Sequence, residues 1–119
     1  MPSTIDREKD MSNYIQVATT TDSRELAEKI AGAALERKLA ACVQIGTCLS
    51  MYRWQNRVER AEEFVCVMKS RKDLFHELEK TIRREHTYDV PEILATEVAT
   101  GSSDYLAWLD DELRREGKE

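Results

Sequence analysis

The stretch that decides the fold is residues 40–69, AACVQIGTCLSMYRWQNRVERAEEFVCVMK. Ala40 to Ile45 reads as a strand, alternation resumes from Cys48 to Trp54, and Gly46-Thr47 between them is a place for a bulge or bend. Gln55-Asn56 interrupts the pattern with two polar residues, and asparagine tolerates the left-handed backbone, so a tight hairpin turn is expected there. A return strand then runs from Arg57 to Lys69. Across such a turn paired positions add to a constant: Cys42 faces Lys69, Ile45 faces Cys66 and Cys48 faces Glu63. FVCVM (64–68) is apolar on both parities, which calls for burial on both faces, by helices on one side and by something else, such as another subunit, on the other.

Working outward, Tyr14 to Thr19 alternates and is rich in strand-forming residues. Asp22 is positioned to cap a following helix with Glu25 as its capping-box partner, and Leu26, Ala27, Ile30, Ala31, Ala34 and Leu35 form its apolar stripe. On the far side Ser70 is placed to cap a helix through about Glu85, with Leu74, Phe75, Leu78 and Ile82 inward. Pro91 to Thr100 reads as a fourth strand, and Gly101-Ser102-Ser103 opens a last helix with Tyr105, Leu106, Trp108, Leu109 and Leu113 on its apolar side. The order β-α-β-β-α-β plus a terminal helix specifies an α+β, ferredoxin-like split β-α-β sandwich: one antiparallel sheet with helices on one face. Residues 1–12 read as a flexible arm, 13–115 as one domain and 116–119 as a polar tail.

Composition narrows the function. The chain has 119 residues, 34% of them charged, and a net charge of −5. Its field repels phosphate backbones, so nucleic acid is not the expected partner. No apolar run approaches the ~20 residues that span a bilayer, and the first residues lack a secretory apolar core, so neither a membrane nor export is expected and the location read is the cytoplasm. Three cysteines without C-x-x-C spacing describe neither a disulfide framework nor a structural zinc site, and read as reduced thiols.

Candidate ligands for a metal are Cys42, Cys48, Cys66, His76 and His86. The two histidines lie ten residues apart on or near one helix, about 15 Å along its axis, and cannot share an ion within one subunit. Cys42 and Cys48 share a sheet face about 20 Å apart, and Cys66 points the other way. Core packing is the plainer role for Cys48 and Cys66, and a solvated surface position for His76. For His86 a structural hydrogen bond competes with a ligand role. Lys69 ends an apolar strand, where it either lifts its ammonium to solvent or holds an anion. No serine, cysteine or lysine stands in a recognisable nucleophile signature with a base, so no enzyme activity is expected.

ERKLAACVQI (36–45), SMYRW (50–54), EEFVCVMKS (62–70), HTYDVPEI (86–93) and YLAW (105–108), in that order, resemble the hallmark segments of the CutA family of divalent-cation tolerance proteins. The resemblance implies a ferredoxin-like subunit in a tight homotrimer, its long hairpins joining sheets between subunits, and a link to tolerance of copper or other divalent cations, with no known reaction and no organic cofactor. Cys42 matches the family's A-A-C-V segment and with His86 forms the expected metal pair. Two positions depart from the family pattern: Asn56 replaces the usual glycine of the turn, and Thr87 the usual proline after the histidine. An alternative follows from the likeness of this fold and trimer to PII signalling proteins: a sensor or scaffold holding a small anionic metabolite in clefts between subunits, near Lys69, Tyr88 and Trp54. A purely structural trimer that anchors a protein partner through its arm or tail is a third reading.

Overall fold

The computed structural model describes residues 13–115, so the arm and tail segments read from sequence lie outside the described residues. The chain runs β1 (Tyr14–Thr21), α1 (Arg24–Glu36), β2 (Cys42–Trp54), β3 (Arg57–Arg71), a 3-10 turn (Lys72–Leu74), α2 (Phe75–Glu85), β4 (Leu94–Glu97) and α3 (Ser103–Glu112). The four strands form one antiparallel sheet in the order β2-β3-β1-β4, the ferredoxin-like arrangement. No helix among the described residues is long and apolar enough to cross a membrane.

The hairpin has the register that its turn dictates: Cys42 faces Lys69, Ile45 faces Cys66 and Cys48 faces Glu63. Gln55 and Asn56 both have positive φ, 50° and 65°, the signature of a two-residue turn whose twist matches the strands. Gly46-Thr47 forms no bulge. Pairing is continuous from Cys42 to Trp54, because an unbroken ladder satisfies every backbone group on this side of the strand.

One sheet face carries Ile15, Val17, Cys66 and Met68, which pack with Ala27, Ile30 and Ala34 of α1 and Leu78 and Ile82 of α2 into the core. Small alanines let α1 lie close against the strands. Leu35, expected in that stripe, is exposed at the helix end. Ser23 rather than Asp22 caps α1, its hydroxyl accepting from the Leu26 amide at 3.1 Å, since the chain leaves β1 one residue later than the capping-box spacing suggests. α2 also starts later than Ser70. The ladder with β1 holds Ser70 and Arg71 as strand, and the Ser70 hydroxyl donates to the Leu39 carbonyl instead of capping. β4, expected over Pro91 to Thr100, is confined to Leu94–Glu97, which pairs with Ile15–Ala18 of the longer β1.

α3 buries Leu106 and Leu109, followed by Leu113, whereas Tyr105 and Trp108 stay largely exposed and pack on each other at 5.6 Å. The segment after Leu109 is tied in by Arg71. Its guanidinium donates to both carboxylate oxygens of Asp73 (2.6 and 3.2 Å), to Asp110 at 3.0 Å and to the Arg114 carbonyl at 2.7 Å. The Arg114 amide in turn donates to the Lys38 carbonyl at 3.0 Å, locking the chain end to the α1–β2 corner. This planar fork satisfies four acceptors from one buried cation, which lysine would not do.

Candidate functional site

The sheet face turned away from α1 and α2 is open. Along β3 it presents Lys69, Val67, Val65 and Glu63, matched on β2 by Cys42, Gln44, Gly46 and Cys48 and on β1 by Gln16, Ala18 and Thr20. Val65 and Val67 are half-buried with no helix above them, the second uncovered face that FVCVM anticipates. Two polar groups of side chains occupy this surface.

The first is built around the end of α2. His86 terminates that helix, and its extended backbone carries the chain back toward the sheet. Its Nδ1 accepts the Tyr88 amide at 3.2 Å, so the ring proton sits on Nε2, which donates to the Thr20 carbonyl at 2.8 Å. Both ring nitrogens are thus engaged by backbone. The Tyr88 ring lies 4.9 Å from the imidazole and its hydroxyl donates to Glu63 Oε2 at 2.8 Å. Glu63 is buried, and burial followed by the bond to its carboxylate pushes the Tyr88 phenol well above the usual tyrosine range. Cys48 stands opposite Glu63, its Sγ 3.7 Å from the Ser50 hydroxyl.

The second group lies six residues along β3. Lys69 Nζ donates to Gln44 Oε1 at 2.7 Å, with Cys42 across the ladder and Gln16 on the other side. Burial, and after it the neighbouring Cys42, push the Tyr105 phenol up. A cleft of about 230 Å³ opens here between the sheet and the start of α3, with Lys69, Gln16 and Tyr105 in its wall.

The expected site residues therefore separate within one chain. Trp54, 53% exposed beside the turn, is twelve ladder positions from Cys42, about 40 Å at 3.3 Å per residue. Tyr88, held at Glu63, is about 20 Å from the Lys69 level and about 20 Å from the tip. His86 binds at Thr20, four positions from the Gln16–Lys69–Cys42 row, about 13 Å along the sheet. Among the described residues no three His, Cys, Asp or Glu side chains converge as ligands. Cys66 is buried in the core, its thiol pushed up by burial and its Sγ 3.8 Å from the Ala27 carbonyl, and His76 is exposed. Sequence reasoning paired Glu63 with Cys48 but missed the Tyr88–Glu63 and His86–Thr20 bonds, which join residues 25 and 66 positions apart and leave no local signal.

Comparison with known proteins agrees with this architecture. The family model described as "CutA1 divalent ion tolerance protein" matches residues 15–112. The divalent-cation tolerance protein CutA of Archaeoglobus fulgidus is 38% identical over 101 residues, covering 85% of this chain and 97% of that protein. Its Thermus thermophilus counterpart is 42% identical over 94 residues, covering 78% and 91%. The solved structure of the Archaeoglobus fulgidus protein, described as periplasmic, superposes with a TM-score of 0.83 at 35% identity over 85% of this chain and 99% of that one. With a family model spanning nearly all of the described residues and relatives above a third identical over most of their length, the chain belongs to the CutA1 divalent-ion tolerance family.

Proposed function

We propose that this chain is a non-catalytic divalent-cation tolerance protein that acts as a cytoplasmic homotrimer and binds copper. Membership in the tolerance family carries the reading. The surface that the subunit leaves open supports assembly: Leu49, Met51, Trp54 and Val58 on the hairpin are each more than half exposed, and the valines of β3 lack a cover. Apolar area of this kind on a soluble subunit is normally buried by a partner, and further copies of the chain are the partner proposed.

Copper is the preferred ion because nitrogen and sulfur ligands favour Cu²⁺ over the other divalent first-row metals. Cys42 is half-buried on the open face, the side that further copies would cover. His86 would have to release the Tyr88 amide from Nδ1 to bind a metal, a cost of about one hydrogen bond, ~1 kcal/mol, small against a copper–imidazole bond. Since Cys42 and His86 stand apart in one chain, a site using both draws them from different subunits. The three thiols suit a reducing compartment.

Native mass spectrometry of protein purified without chelators tests assembly and loading together. Trimer mass with copper-sized increments is expected, and Cys42→Ala with His86→Ala should weaken copper affinity by about tenfold or more. A monomer refutes the assembly, and unchanged affinity in the double variant removes both residues as ligands. The second reading, a PII-like sensor or scaffold for a small anionic metabolite, is favoured by one feature alone, the cleft beside Lys69.

A further inference from the structure

We draw no further inference here: the strongest candidate, the side-chain cluster in which Tyr88 caps the buried Glu63 carboxylate beside Cys48 and His86, lies on the open sheet face already proposed to be covered by neighbouring copies of the chain, and nothing in the structure shows which of their groups meets it.

Discussion

Tyr88→Phe removes one hydroxyl and tests the structure of the open face directly. In the wild type that hydroxyl donates to Glu63 Oε2 at 2.8 Å, and Glu63 is 8% exposed, so water cannot replace the lost donor without prising Tyr88 from the sheet. A hydrogen bond to a charged acceptor contributes about 1.5–3 kcal/mol, and an intermediate loss of ~2 kcal/mol lowers the melting temperature of a domain this size by roughly 6–10 °C. The assay is urea or thermal unfolding of Tyr88→Phe, Glu63→Ala and the double variant at one fixed protein concentration, because association would otherwise shift the apparent stability. The cycle should return a coupling of at least about 1 kcal/mol. A pH series adds a second readout. Burial and the Glu63 bond raise the Tyr88 phenol above its unfolded value, so its contribution is complete below about pH 10 and is lost as pH rises toward the folded value. The gap between wild type and Tyr88→Phe should accordingly be flat to about pH 10 and narrow above it. A coupling below about 0.5 kcal/mol would refute the reasoning, because it would mean that the bond exchanges freely with water.

Two further outcomes follow from the fold. The Asp110 carboxyl resists the upward push of burial because Arg115 and Tyr14 hydrogen-bond to it and Arg71 lies beside it, so it is held below the usual aspartate range. Its stabilisation is present above the unfolded pKa of about 3.9 and lost as pH falls through the folded value. Asp110→Asn should cost about 1–2 kcal/mol at neutral pH, with the difference from wild type closing below about pH 4 in acid unfolding curves. At the hairpin tip, Gln55 pays for a left-handed backbone at φ 50° that asparagine accepts more readily, as glycine does at Asn56 with φ 65°. Gln55→Asn with Asn56→Gly should stabilise the protein by about 1 kcal/mol in denaturant unfolding, and a loss of stability would contradict the two-residue turn.

The hairpin shows how much of the fold is local. A two-residue polar break between two alternating runs sets every pairing from Cys42–Lys69 to Trp54–Arg57, because side chains repeat every two residues and the turn leaves no slack. Helix starts were less legible. Ser23 and Asp22 are both competent caps, as is Ser70, and the choice among them depends on how far β1 and β3 remain paired. For the candidate site, the juxtaposition of Cys42 with Lys69 follows from that same register, whereas Tyr105 joins Lys69 in the wall of one cleft only because α3 packs against the sheet.

By itself the amino-acid sequence determined the β-α-β-β-α-β order, the hairpin register, the apolar stripes of α1 and α2 and the family, all of which reside in periodicity, turn chemistry or ordered segments. Tertiary structure alone decided that Arg71 gathers Asp73, Asp110 and the Arg114 carbonyl, that both His86 nitrogens are spent on Thr20 and Tyr88, and that Lys69 overlooks an apolar cleft. Such contacts join residues tens of positions apart, and their geometry exists only after the helices and strands have packed, when burial makes each unmet donor or acceptor costly enough to select its partner.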